Sequence, residues 1–182
     1  MLLSILFELV KDGEFVSEFS AEKIVYFLQR FGAKETFKLE FQPNFYGPYS
    51  GKVKRVLYYL NDSYITGFSS KDKKPFDELS LMMDAEKEVN DYLDSPVNTQ
   101  NKEIVLKTKA FLSGFYGNFG LELLSTVDYI ITDKKTNSIS EITTHLENCS
   151  KRNKTLFTNP KFISIAVQHI EKHLGCMVPL MW

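Results

Sequence analysis

The segment from Ser20 to Gly32 constrains the fold most, because its apolar residues need a wide buried helical face. Ser20 is a helix-capping residue type, and Glu22 lies in the first turn after it. The apolar residues of the segment are Ile24, Val25, Phe27, Leu28 and Phe31. Their spacing predicts a helix that packs on the core and ends at Gly32.

The next segment predicts a strand and a turn. Residues 36–42 alternate apolar and polar side chains with a period of two, which is typical of a half-buried strand. Pro43 is expected to close this strand, and residues 44–49 are expected to form a turn. Ser50 then predicts the cap of a second helix, which carries a stripe of four apolar residues: Val53, Val56, Leu57 and Leu60.

Two further short strands are predicted at 64–68 and 78–82, on either side of a polar loop that contains Lys71, Asp72, Lys73 and Lys74. The other segments predict helices over about 1–10, 84–93, 97–115, 121–131, 139–146 and 162–174. We therefore expect one domain over 1–182, with an α+β fold that is mainly α-helical and has a small antiparallel sheet or β-hairpin wing.

Composition and charge exclude several classes of protein. The 182 residues are 43% hydrophobic and 25% charged, which favours a globular chain over a disordered one. With a formal net charge of −1, the chain has no overall electrostatic attraction to nucleic acid, so direct nucleic-acid binding is not expected. Residues 1–10 are too short for a membrane span, and two isolated cysteines, Cys149 and Cys176, favour free thiols in the cytoplasm.

Motifs for catalysis are missing from the sequence or incomplete. His169 and His173 share a helical face, with Cys176 close behind, but the glutamate of HExxH is not in place, and a polar face near a helix end explains them better. The sequence contains no G-x-G-x-x-G motif, P-loop or G-x-S-x-G elbow. We therefore expect no catalytic residue, metal site or cofactor, and a binding protein that is not itself an enzyme.

Charged and aromatic residues supply candidates for partner binding. Within the acidic run 84–94, Glu86, Glu88 and Asp91 form either a solvated face or an imitation of DNA phosphates. The aromatic candidates for anchors are Tyr46, Tyr49, Tyr58 and Tyr64, with Tyr59 in the same region. A small basic patch at Lys151, Arg152 and Lys154 is the candidate for contact with DNA.

Several motifs occur in an order known from one family. They are Lys23-x-x-Tyr26-x-x-Gln29, then residues 45–50 with Gly47-Pro48-Tyr49, then Val56-Leu57 and residues 64–68, and last Gly114-Phe115 with the stretch 120–127. This ordered set resembles the C-terminal domain of DarG-type antitoxins, which is similar to the wider Panacea group of antitoxin domains. The resemblance covers about 20–174.

The resemblance implies that the partner is a DarT-type toxin, which uses NAD to modify thymidine bases in single-stranded DNA. DarG-type antitoxins remove the ADP-ribose with an N-terminal macrodomain and hold the toxin with the C-terminal domain, in one view by DNA mimicry. The chain has no room for a macrodomain before Ser20, so glycohydrolase activity is not expected of these residues. Two alternatives remain open: a Panacea-like adaptor that delivers a toxin to a protease, and a DNA-binding autorepressor that uses the C-terminal helices.

Overall fold

The computed structural model describes residues 1–68, 74–149, 157 and 159–175, and most of them are helical. The helices are α1 (Leu2–Lys11), α2 (Glu18–Leu28), α3 (Lys34–Phe37), α4 (Val53–Leu60), α5 (Ala85–Asp94), α6 (Thr99–Leu112), α7 (Asn118–Lys134), α8 (Ile139–Cys149) and α9 (Pro160–Leu174). Two antiparallel pairs of strands join β1 (Gln42–Asn44) to β2 (Gly47–Tyr49) and β3 (Ile65–Thr66) to β4 (Ser80–Leu81). The predicted class, mainly α-helical α+β with a small antiparallel sheet, is confirmed.

Helix α2 lies at the centre of the packing. All eleven of its residues are buried, and it contacts α1, α4, α6, α7 and β2. The helix begins earlier than predicted, because Ser17 is the cap and Ser20 is its partner three residues later: the Ser20 amide donates to Ser17 Oγ at 3.1 Å. Regular α-helix ends at Leu28 and continues as a π-helical segment, Gln29–Ala33. The helical path breaks at Gly32, the predicted stop, which adopts a φ of 122°.

The strand predicted over 36–42 is wrong. Its first residues belong to α3, and Lys38 then adopts the left-handed conformation, with a φ of 52°. Phe37, Leu39 and Phe41 are partly buried against the core, which explains the alternating pattern. The Gln29 side chain donates to Leu39 O at 2.8 Å and accepts from Leu39 N at 2.9 Å. One amide side chain thus makes the bonds that a neighbouring strand would otherwise provide.

The two hairpins differ in how well the sequence predicted them. The pair β3–β4 confirms the predicted wing, although Lys71, Asp72 and Lys73 of its loop lie outside the described residues. In the other hairpin Pro43 does not close a strand but lies within β1, opposite Pro48 of β2.

The later helices follow the predicted order with shifted ends. Helix α6 ends at Leu112, before Gly114 with its φ of 80°, and α7 runs three residues further than predicted at each end. No helix among the described residues combines the length and the apolar character that a membrane crossing requires.

Gly47 provides a test of the packing between β2 and α7. It has a φ of +85°, and a Cβ atom there would clash with Thr126 Oγ1. Gly47→Ala should therefore lower the free energy of unfolding by about 2 kcal/mol or more, from backbone strain and overpacking together. Denaturant unfolding measures the loss.

Gly13→Ala is the matched control for Gly47→Ala. Gly13 has a φ of +87°, but nothing lies within 4 Å of a Cβ atom there, so only the backbone strain applies. The Gly47 variant should lose clearly more stability than the Gly13 variant, and Thr126→Ala should restore part of that loss. Equal losses in the two glycine variants would show that the contact with Thr126 is unimportant.

Candidate partner-binding site

Three side chains spaced three residues apart, two on α2 and one directly after its end, each hold a different segment. Lys23 Nζ donates to Pro48 O at 2.7 Å, Tyr26 Oη donates to Asp128 Oδ2 at 2.6 Å, and Gln29 bonds both backbone groups of Leu39. The Lys-x-x-Tyr-x-x-Gln motif therefore builds the scaffold. It places the β1–β2 hairpin and α7 against α2.

Asp128 on α7 is a buried ion-pair partner that the sequence analysis missed. Its side chain has no exposed area, and it accepts from Arg30 at 2.7 Å and 3.0 Å as well as from Tyr26. Burial and the nearby carboxylate raise the pKa of Tyr26, so its phenol stays protonated and donates. Asp128 and Arg30 are 98 positions apart in sequence, and no local pattern connects them.

A cavity of about 270 Å³ lies between α2 and the β1–β2 hairpin. Tyr46 and Tyr49, two of the predicted anchors, line it together with Glu22. Glu22 Oε2 accepts from the Ser50 amide at 3.0 Å, while Oε1 has no hydrogen-bond partner among the described residues. Burying a carboxylate oxygen without a hydrogen bond is energetically unfavourable. Protonation of Glu22, or a ligand that donates to Oε1, would remove this penalty.

Burial also changes the titration of the charged groups at the cavity. It raises the pKa of Glu22 to about 8, with the Ser50 amide and Lys23 acting against the rise. It lowers the pKa of the neighbouring Lys23 to about 8. The sequence contained a signal for these buried charges. Glu22 and Lys23 are two adjacent charged residues that interrupt the apolar pattern of this helix.

The other predicted tyrosines lie outside this cavity. Tyr58 is 65% exposed on α4, beside Tyr59, which is 80% exposed. Tyr64 is partly buried, and its hydroxyl donates to Glu88 Oε1 at 2.8 Å. The predicted tyrosines therefore occupy three places: the cavity, the outer face of α4, and a contact with α5.

The acidic run forms the outer face of α5. The helix buries Ala85, Val89 and Leu93, whereas Glu88 and Asp91 are exposed. Three carboxylates of the run lie beside lysines of the chain, in the pairs Glu86–Lys11, Asp91–Lys87 and Asp94–Lys102. Exposed pairs of this kind contribute about 0–1 kcal/mol each, so the cations of a partner can replace them.

His169 and His173 belong to an aromatic cluster with Phe111. Their ring centres are 4.6 Å apart, and His169 Nε2 lies 2.7 Å from Phe111 O, to which it must donate. Groups of three or more His, Cys, Asp or Glu residues able to hold a metal ion do not occur among the described residues. Cys176 lies outside that part of the chain, as do Lys151, Arg152 and Lys154 of the predicted basic patch.

Comparisons with known proteins identify three similar curated relatives. One is a DNA ADP-ribosyl glycohydrolase of Thermus aquaticus, 28% identical over 93% of this chain and 45% of its own length. The others are DNA ADP-ribosyl glycohydrolases of Mycobacterium tuberculosis and Mycobacterium bovis, each 22% identical over 88% of this chain and 46% of its own length. No protein-family model matches the chain.

These similarities support a relation to DarG-type DNA ADP-ribosyl glycohydrolases. The chain spans about half the length of the curated relatives it matches. They also correct one expectation. The sequence led us to expect a protein that is not itself an enzyme, and this is contradicted, because relatives aligned with most of the chain carry the name of a hydrolase.

Glu22 predicts an unusual dependence of stability on pH. Since its pKa is about 8 in the folded chain and near 4.5 when unperturbed, the folded state holds an extra proton between these values. The stability of the wild type should therefore fall as pH rises from 5 towards 8, by up to about 1.4 kcal/mol per pH unit. Glu22→Gln keeps an acceptor for Ser50 and removes this titration.

Denaturant unfolding between pH 5 and pH 8 tests this. Relative to the wild type, Glu22→Gln should gain roughly 1 kcal/mol or more over the interval. The control is Glu141→Gln, at an exposed acid of α8, which should follow the wild-type curve. If the Glu22 and Glu141 variants both follow that curve, the raised pKa is refuted. The range stops at pH 8 because Lys23, with its lowered pKa, has the opposite effect above it.

Proposed function

We propose that this chain is the toxin-binding region of a DarG-type DNA ADP-ribosyl glycohydrolase and neutralises a DarT-type DNA ADP-ribosyltransferase in the cytoplasm. For the whole protein, we propose the activity for which the relatives are named, removal of ADP-ribose from DNA. The similarity over most of the chain and the use of the motif residues Lys23, Tyr26 and Gln29 in the scaffold support the proposal.

The observation that carries the proposed binding mode is the acidic outer face of α5. The buried stripe of this helix fixes its rotation, so Glu88 and Asp91 point away from the core. Glu86 lies on the flank and is partly buried beside Lys11. Carboxylates spaced along one helix can occupy a cationic groove that otherwise holds DNA phosphates, which is the basis of inhibition by mimicry.

Aromatic residues beside this face supply the proposed anchors. Tyr64 lies against Glu88, so a partner that contacts the carboxylate also reaches the phenol ring. Tyr46, Tyr49 and Tyr58 remain predicted anchors at the cavity and on α4. A stable interface needs about 800 Å² per partner, which is wider than α5 alone, so some of these tyrosines should contribute to it.

The triple variant Glu86→Lys, Glu88→Lys, Asp91→Lys tests the role of α5. Exposed substitutions, as at Glu88 and Asp91, usually change stability by about 0.5 kcal/mol or less each, so the variant should fold. The larger part of any loss should come from Glu86, which is partly buried beside Lys11. Its association with the toxin should slow at least about tenfold, and wild-type affinity should weaken as salt rises. Surface plasmon resonance measures both rates.

A second triple variant controls for net charge. Glu35, Glu141 and Glu147 are exposed acids outside the run, and changing all three to lysine alters net charge by the same amount. This variant should associate nearly as fast as the wild type. If the α5 variant also binds normally, the acidic run is a solvated face, and the tyrosines become the better candidates. Modification of single-stranded DNA by a toxin that is saturated with this chain would refute mimicry, because the DNA site of the toxin would then still be open.

A further inference from the structure

Helix α4 has an outer face made of only two kinds of side chain. Its exposed positions are Lys54, Arg55, Tyr58 and Tyr59, its remaining positions are apolar, and the helix contains no acidic residue. Lys52, directly before the helix, is also exposed. The acidic residues that balance the net charge of the chain are therefore elsewhere, for example on α5.

These side chains border a shallow groove rather than a flat surface. Lys54, Arg55, Tyr58, Tyr59 and Phe68 line a groove of about 390 Å³. The rings of Tyr58 and Tyr59 are 6.1 Å apart and inclined by 75°, so they present faces in different directions. Tyrosine is enriched at interfaces, because its ring packs against a partner while its hydroxyl stays hydrated.

The chemistry of this face selects the class of partner. Cations one helical turn from aromatic rings bind phosphates while the rings stack on bases, which is how single-stranded nucleic acid is held without regard to sequence. A duplex keeps its bases stacked inside and offers the tyrosines no ring face. A basic partner is disfavoured by repulsion from Lys52, Lys54 and Arg55.

We infer that α4 binds single-stranded DNA, with phosphates on Lys52, Lys54 and Arg55 and bases stacked on Tyr58 and Tyr59. Only the choice of DNA over RNA rests on the proposed function. Lys54 Nζ lies 3.4 Å from Glu18 Oε1, whose side chain is only 7% exposed, while that of Lys54 is 50% exposed. An ammonium group has three donors, so Lys54 can meet a phosphate and keep this pair. The net charge of the sequence gave no sign of this site, because the positive charges of α4 and the negative charges of α5 cancel in the sum.

The affinity should be modest and dependent on salt. Three phosphate contacts predict a slope of log affinity against log salt of about −2, since each contact to a single strand contributes about −0.7. Fluorescence anisotropy of a labelled oligonucleotide of about 12 nucleotides, titrated with the full chain, measures affinity and slope. A duplex of the same length and an RNA of the same sequence are titrated in parallel.

Two variants and two matched controls locate the site. Changing Tyr58 and Tyr59 together to alanine should weaken binding at least about fivefold without changing the salt slope. Arg55→Ala should weaken binding and make the slope shallower by about 0.7. Tyr92→Ala on α5 and Lys107→Ala on α6 replace residues of the same kinds that are also exposed, and they should leave binding unchanged.

Several results would overturn the inference. They are the absence of saturable binding at low salt, equal losses in the control variants, and binding of the duplex as tight as that of the single strand. RNA bound more tightly than DNA would refute the assignment to DNA. The toxin is titrated with the same variants because Tyr58 is also a predicted toxin anchor.

Loss of toxin binding without any DNA binding would show that the α4 face is a protein interface. If the toxin binds neither the wild type nor any variant, the proposed function is wrong. The oligonucleotide titration would still show whether α4 binds single-stranded DNA.

Discussion

The enclosure of α2 on every side is the constraint on which the rest of the structure depends. A helix without a solvent face must find internal partners for each polar side chain that it carries. Lys23 meets the carbonyl of Pro48, and Tyr26 meets Asp128 on α7. Arg30, just beyond the end of α2, pairs with the same carboxylate. These bonds set the positions of the β1–β2 hairpin and α7, so one helix determines where the outer segments lie.

Periodicity predicted the helices and the β3–β4 wing, because these elements depend on side chains near in sequence. It failed where a distant group decided the outcome. Residues 36–42 have the pattern of a strand, yet the Gln29 side chain occupies the Leu39 backbone groups that a strand partner would need. The same holds for the candidate site. Helical spacing was enough to predict that Glu88 and Asp91 are exposed, whereas the cavity at Glu22 depends on the position of the β1–β2 hairpin, which is distant in sequence.

The charges of the chain are separated between two helices, and this is what the net charge of −1 conceals. Helix α4 exposes only cations and tyrosines, while α5 exposes most of an acidic run. The two faces carry charges of opposite sign, so cations are attracted to α5 and anions to α4. A protein with a weak overall field can therefore hold an anionic partner and a cationic one.

Tyr64 connects these two helices. Its amide donates to Leu60 O at the end of α4 at 2.9 Å, and its hydroxyl donates to Glu88 of α5 at 2.8 Å. A cation that binds Glu88 competes with the Tyr64 hydroxyl for the same carboxylate. Binding of a cationic partner at α5 can therefore release the Tyr64 side chain. Because the backbone bond of Tyr64 does not involve its side chain, the phenol can rotate away while the end of α4 stays in place. Tyr64 is thus held to α4 by its backbone, whereas its link to α5 is made by the side chain alone and can be broken by a cation at Glu88.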